Sequence, residues 1–202
     1  LSKFKKNEII KNLSNHQLVV KTLPNLNDII DGKISVSDIK DFLVDDLLLR
    51  DQIEPDQKLL NQNIKSKSVL VTGAGGTIGS EISRQVAKLH PEKIILLELN
   101  EFALYKIYEE LVQFNINVKI IPLLSNVQDQ NKLEKIFQTF KVDTVYHAAA
   151  YKHVPLVEAN ICEGIQNNVF GTLAVAKASI NKNIDNLILI SSDKAVRPTN
   201  IM

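Results

Sequence analysis

Three groups of residues in this 202-residue sequence could do chemistry. The first is Gly73-Ala74-Gly75-Gly76-Thr77-Ile78-Gly79, with glycines at Gly73-x-x-Gly76-x-x-Gly79. One glycine permits a tight turn, the next lets the backbone approach a pyrophosphate, and the third removes a side chain that would hold helix and strand apart. A pyrophosphate there meets unpaired N–H groups and the positive end of a helix dipole. No Gly-Lys-Ser/Thr follows, so the lysine and magnesium-binding hydroxyl of a triphosphate-hydrolysing loop are missing. The second is Glu98, about 20 residues beyond Gly79, where an acidic side chain accepts hydrogen bonds from adenosine ribose hydroxyls and repels a 2′-phosphate. Glu98 could otherwise be a plain polar strand end, but following this turn it predicts NAD rather than NADP. The third is Ser191-Ser192-Asp193-Lys194, where an adjacent acid and base can tune one another's pKa. Taken alone, that string reads more readily as a solvated loop or a helix cap.

These groups need elements that bring them together. From Ser68 onward, apolar runs of strand length alternate with amphipathic stretches of a dozen or so residues, a βαβ series. The expected strands are Val69–Thr72, Lys93–Glu98, Val118–Pro122, Thr144–His147 and Asn186–Ser191. Their near-continuous apolar character predicts an α/β fold, a Rossmann-like doubly wound parallel sheet covered on both faces. The first strand then runs into the glycine turn, the second ends at Glu98, and Ser192-Asp193-Lys194 leaves the last, at the sheet end where such folds build their sites. In the helix opened by Gly79, the spacing of Ile78, Ile82, Val86 and Leu89 predicts the face that lies on the sheet.

Residues 1 to 65 read differently, and the Asp/Asn/Gln-rich stretch from Asp51 to Lys67 places a boundary near Lys65. Before it, Glu8–Leu13 looks helical and Gln17–Thr22 alternates like a strand, followed by a break at Leu23-Pro24. The scattered apolar residues Ile29, Ile30, Ile34, Val36, Ile39, Phe42, Leu43, Leu47 and Leu48 are too few for a separate core and predict a connector.

With 24 basic and 23 acidic side chains, the sequence offers no basic field for nucleic acid. No apolar run approaches the ~20 residues of a membrane span, so no membrane contact is expected within this chain. The single Cys162 reads as a small buried side chain in a reducing setting. His147, at a strand end, reads as packed and hydrogen-bonded, and no His/Cys/carboxylate spacing implies a metal. Lys152 and His153, in a loop after a strand, could face a cofactor or a sugar diphosphate. Asn168 and Thr172 could tie loops beside the nicotinamide, or simply be buried helix residues. The sequence starts at Leu1 and stops at Met202, which reads as a segment of something longer.

Three further strings are highly specific: His147-Ala148-Ala149-Ala150-Tyr151-Lys152-His153-Val154-Pro155, Asn167-Asn168-Val169-Phe170-Gly171-Thr172, and Ser191 to Met202. With them the chain resembles the bacterial nucleotide-sugar 4,6-dehydratases of capsule, O-antigen and flagellin-glycan biosynthesis, within the extended short-chain dehydrogenase/reductase superfamily. It looks most like the long, membrane-anchored branch active on UDP-N-acetylglucosamine, and Thr22-Leu23-Pro24 and Asp31–Val36 look like that branch's connector. The resemblance implies that 1–65 is the end of a preceding Rossmann-like domain plus connector, and 66–202 an NAD-binding core incomplete at its C-terminus. It implies NAD held by Gly73, Gly75, Gly76, Thr77, Ile78, Gly79, Glu98, Asn126, Val127, Ala148, Ala149, Ala150, Lys152 and Asn168. In the implied reaction, hydride leaves sugar C4, water is lost across C5 and C6, and the hydride returns at C6. Ser192 then matches the hydrogen-bonding partner of the C4 oxygen, Asp193 the acid for the C6 hydroxyl, and Lys194 the base at C5. Met202 stands where the wider superfamily has a tyrosine, as in the anchored branch. Asn126 replaces the usual aspartate near the adenine.

Two other readings stay open. One is a non-catalytic NAD-binding or scaffolding module, supported by Met202, which cannot usefully move a proton. The other is a 4-epimerase, which has no use for a C5 base such as Lys194. Under the dehydratase reading the partner is a UDP-sugar, this stretch alone lacks turnover, and the location is cytoplasmic, on the inner face of the membrane where the parent is anchored. An exposed edge along Asn186–Ser191 would invite self-association, so a homo-oligomer is expected.

Overall fold

A computed structural model describes residues 5, 21–22, 40–41, 55–114, 117–192, 198 and 200–201. The chain divides into two compact units, Leu1–Glu54 and Pro55–Met202. In the first, β1 (Lys21–Thr22) pairs antiparallel with β2 (Lys40–Asp41), Lys21 opposite Asp41. The helix expected at Glu8–Leu13, the strand residues before Lys21 and the scattered apolar positions from Ile29 to Leu48 lie outside the described residues.

The division falls ahead of the boundary expected near Lys65. Asp56 caps a helix, α1 (Gln57–Ile64), by accepting from the N–H groups of Lys58 and Leu59. Ile64 at its end is 1% exposed and joins the core of the second unit. That buried anchor makes the polar stretch the start of the larger unit rather than a linker.

From there the chain alternates strand and helix: β3 (Ser68–Thr72), α2 (Thr77–Lys88), β4 (Lys93–Glu98), α3 (Glu101–Gln113), β5 (Lys119–Leu124), α4 (Gln130–Phe140) and β6 (Thr144–His147). Two short helices follow, α5 (Val154–Ala159) and α6 (Ile161–Ile165), then a π-helical segment (Gln166–Gly171), α7 (Thr172–Asn181) and β7 (Asn186–Leu189). All five strands are parallel, in the order β5-β4-β3-β6-β7. Strand β4 and strand β6 have the expected bounds. Strand β5 starts a residue late and runs on to Leu124, in register with β4 from Lys93↔Lys119 to Glu98↔Leu124. Its Pro122 lacks a donor, which an edge strand tolerates.

Every residue of β3 is buried because the two sheet faces are both covered. Leu70, Ile95 and Val145 pack with Leu133, Phe137 and Val175 on one side. Val69, Val71 and Ile94 pack with Val86, Leu104 and Leu111 on the other. In helix α2, Val86 is buried and Ile82 and Leu89 pack against the core as expected, joined by Gly79, Ser83 and Ala87, whereas Ile78 in the first turn is 53% exposed. Gly79 passes so close to the Gly73 carbonyl that a side chain would not fit there. Arg84 holds α2 against α3 by donating from Nε and Nη2 to the two carboxylate oxygens of Glu110. Cys162 is exposed rather than buried, because Gly164 is the one residue of α6 turned inward. Among the described residues, no helix is long and apolar enough to cross a membrane.

Candidate functional site

Chain direction across the sheet reverses at β3. From β3 the chain steps outward to β4 and β5, then crosses back to place β6 on the other side of β3. Loops leaving the C-terminal ends of β3 and β6 therefore diverge and open a crevice, where ligands bind in this class of sheet. A cleft of about 840 Å³ lies there. Thirteen of the fourteen positions expected to hold the dinucleotide line it: Gly73, Gly75, Gly76, Thr77, Ile78 and Gly79 from the turn, Glu98, Asn126 and Val127, and Ala148, Ala149, Ala150 and Lys152.

Gly73 turns the chain with φ +63°, and a Cβ there would stand 2.8 Å from the backbone of Ala149. The helix that follows starts differently from its neighbours. Helices α1, α3 and α4 are each capped by a side chain, from Asp56, Asn100 and Asp129. Helix α2 begins at Gly76 with no side-chain cap. The N–H groups of Thr77, Ile78 and Gly79 have no acceptor among the described residues. They meet the cleft together with the positive end of the helix dipole. Lys152 adds a full positive charge, its Nζ donating to Thr77 Oγ1 at 3.3 Å.

Glu98 is more than a strand end. Its Oε2 accepts from the Gly75 N–H at 2.9 Å, and its Oε1 from the N–H groups of Leu99 (2.9 Å) and Asn100 (3.0 Å). A carboxylate has about four acceptor positions. Three hold the glycine turn and the start of α3 in place, leaving one for a ligand hydroxyl. Asn126 lines the cleft while its Oδ1 accepts from the Gln128 N–H.

Asn168 is the fourteenth expected position, and it acts on the wall rather than lining it. Its Oδ1 accepts from the Tyr151 N–H at 2.8 Å and its Nδ2 donates to the Tyr151 carbonyl at 2.9 Å. His147 is packed and hydrogen-bonded as expected: it is 2% exposed, between the hydroxyls of Thr72 and Thr172. Burial lowers its pKa to about 4, so the ring is neutral near pH 7.

Of the four residues expected to do chemistry, Ser192 is exposed just beyond β7, at the sheet end that carries the cleft. Asp193, Lys194 and Met202 lie outside the described residues. Leu99, Asn100, Asn160, Glu163 and Asn167 also line the cleft and were not anticipated. Asn100 was findable, since it stands two residues after Glu98 and is a good N-cap. Asn160 sits at the break between α5 and α6 and Glu163 on α6, with no pattern to mark either. No cluster of His, Cys, Asp or Glu among the described residues could hold a metal.

A family described as "Polysaccharide biosynthesis protein" matches residues 69–202. The chain is 41% identical, over its whole length and 34% of the relative's, to the capsular polysaccharide biosynthesis protein CapD of Staphylococcus aureus. It is 33% identical to a UDP-N-acetylglucosamine 4,6-dehydratase (inverting) of Campylobacter jejuni, over 67% of this chain and 39% of that protein. The fold matches a UDP-glucose 4-epimerase from Bifidobacterium longum solved with NAD+ and UDP, with TM-score 0.54 and 25% identity over 63% of this chain and 37% of that one. The chain thus spans about a third of the length of such curated relatives.

Proposed function

The chain belongs to the polysaccharide biosynthesis protein family, and from that premise we propose that it carries the NAD-binding part of a nucleotide-sugar 4,6-dehydratase acting on UDP-N-acetylglucosamine or a related UDP-sugar. The observation that carries the reading is the cleft at the β3/β6 reversal, where an uncapped helix start, Lys152 and one free acceptor position on Glu98 face the same space. Those are the complements of a pyrophosphate and a ribose diol. On the resemblance drawn from the sequence, the part of 1–65 that precedes the larger unit is the end of a preceding Rossmann-like domain with its connector.

Bound there, NAD would supply a hydride acceptor for sugar C4 and a hydride donor for C6. The chain's own residues do the rest. The N–H groups at the start of α2 and the Lys152 ammonium neutralise the pyrophosphate. Glu98 orients the adenosine ribose and disfavours a 2′-phosphate by charge repulsion. On the resemblance drawn from the sequence, Ser192 holds the C4 oxygen, Lys194 removes the C5 proton once C4 is a ketone, and Asp193 protonates the departing C6 hydroxyl. Elimination is easy only after C4 is oxidised, because the ketone acidifies C5.

The test is to incubate the complete polypeptide with NAD+ and a panel of UDP-sugars and follow the products by NMR. A 4-keto-6-deoxy sugar from UDP-N-acetylglucosamine is expected; a C4 epimer formed without loss of water would replace elimination by epimerisation. Glu98 gives a separate check on the cofactor. Glu98→Gln should weaken NAD binding by about tenfold, the order expected for hydrogen bonds to a charged group, and narrow the preference over NADP. Calorimetric titration of both nucleotides measures it, and an unchanged preference would remove Glu98 from the ribose site.

A further inference from the structure

A chain of hydrogen bonds runs from the floor of the cleft to its wall, and their directions can be derived. Thr72 Oγ1 lies 3.2 Å from the Ala148 N–H and 3.3 Å from the Ala149 N–H, both of which donate to it. A hydroxyl has two acceptor lone pairs and one proton. Ala148 shares its N–H with the Thr72 carbonyl, also at 3.2 Å, whereas Ala149 donates to the hydroxyl alone, so the hydroxyl proton goes to the remaining neighbour, His147 Nδ1, at 2.7 Å. Nδ1 is then an acceptor, and the ring proton is on Nε2. From Nε2 it is donated to Thr172 Oγ1 at 3.0 Å, and the Thr172 hydroxyl donates to the Asn168 carbonyl at 2.7 Å. The side chain of that same Asn168 clamps Tyr151 through a reciprocal pair, and such a pair has one orientation only, because a backbone N–H requires the amide oxygen. Next to Tyr151 is Lys152, whose ammonium returns to Thr77 at the far end of the glycine turn.

The bonds form a circuit. It leaves the end of β3 at Thr72, passes through His147, Thr172, Asn168 and Tyr151, continues along the chain to Lys152, and comes back at Thr77 in the glycine turn. Asn168 lies in the π-helical segment, where backbone bonding departs from the regular i to i−4 pattern.

We infer that His147 is a positioning residue, held as the Nε2–H tautomer, that couples the strand end beneath the glycine turn to the Tyr151–Lys152 wall of the cleft. The effect on cofactor binding rests on the dinucleotide reading above, whereas the tautomer and the coupling do not. His147 makes no contact with the ligand in this scheme. It sets where Lys152 stands.

Nitrogen-detected NMR of the full chain with labelled histidine reads the tautomer directly. The expected spectrum has a protonated Nε2 and an unprotonated Nδ1; the reverse assignment overturns the inference without any variant being made. Thr172→Val removes the acceptor of Nε2–H and leaves the ring in place. In this variant the amides of Tyr151 and Lys152, remote in sequence from the substitution, should exchange several-fold faster, and NAD should bind about tenfold more weakly. His147→Gln can still accept from Thr72 and donate to Thr172, so it should retain most of the affinity that His147→Phe loses. Unchanged exchange at Tyr151 and Lys152 in Thr172→Val, or equal behaviour of the Gln and Phe variants, would refute the coupling. If the unaltered protein binds no NAD, the dinucleotide reading fails, and the tautomer and exchange data still decide the relay.

Discussion

Gly73→Ala is expected to destabilise the protein by about 3 kcal/mol and to weaken NAD binding by at least about 100-fold. Two costs add. A left-handed backbone costs an L-residue about 1–2 kcal/mol, and Gly73 sits at φ +63°. The new Cβ would also stand 2.8 Å from Ala149 Cα and N and 2.9 Å from the Ala148 carbonyl carbon, all backbone atoms. Overpacking of this kind costs about 1–3 kcal/mol. Relief requires the loop after β6 to move away from β3, which stretches the bonds from Ala148 and Ala149 to Thr72 Oγ1. The same motion carries Tyr151 and Lys152 off the start of α2, so the cleft loses its shape and its cation together. Gly76→Ala is the control. That residue has φ −71°, and a Cβ there would meet only the Gly73 carbonyl oxygen, at 3.3 Å. Less than about 1 kcal/mol of stability should be lost at Gly76. Denaturant melts of both variants measure the contrast, and similar stability losses at the two positions would show that turn geometry is not what Gly73 provides.

Much of this site was legible in the residues because its chemistry depends on local rules. A strand running into spaced glycines and then a helix can be read from sequence, since each glycine answers a steric demand made within a few residues. Glu98 was legible for the same reason, although its grip on the Gly75, Leu99 and Asn100 N–H groups was not. Periodicity served less well wherever the setting of a helix depends on tertiary contact. Ile78 completes an apolar stripe in α2, yet it faces the cleft from the first turn while Ile82, Val86 and Leu89 pack on the core. The stretch from α6 through the π-helical segment inverts the usual pattern. Gly164, Asn167 and Gly171 are inside, while Ile161, Ile165, Val169 and Phe170 are exposed. A break at Asn160 and a π-helical turn interrupt the period, and small residues are needed where the helix meets Val157 and Val127. Cys162 was misplaced for that reason, and Asn160 and Glu163 were missed.

Acid should destabilise the protein through His147, and in a pH range where the perturbed carboxylates do not contribute. The ring's pKa is about 4 in the folded chain, against an ordinary value of 6.5. Between those values the unfolded chain binds a proton that the folded chain does not, so stability rises with pH across this window and is lost as pH falls through it. The slope approaches about 1.4 kcal/mol per pH unit, giving about 3 kcal/mol in all. The ring's hydrogen-bond partners are two hydroxyls, so an imidazolium would gain no counter-charge. A proton on Nδ1 would also face a Thr72 oxygen whose lone pairs already accept from Ala148 and Ala149. Glu81, Glu110 and Glu134 are held below the ordinary carboxylate value by hydrogen bonds from Gln85, Arg84 and Gln130 respectively. Their contribution is intact above about 4.5 and declines only at lower pH. Urea melts at pH 7, 6 and 5 should therefore show falling stability in the unaltered chain and a much flatter profile in His147→Gln, which cannot titrate. Parallel profiles would assign the acid sensitivity to another group and leave His147 without a role in it.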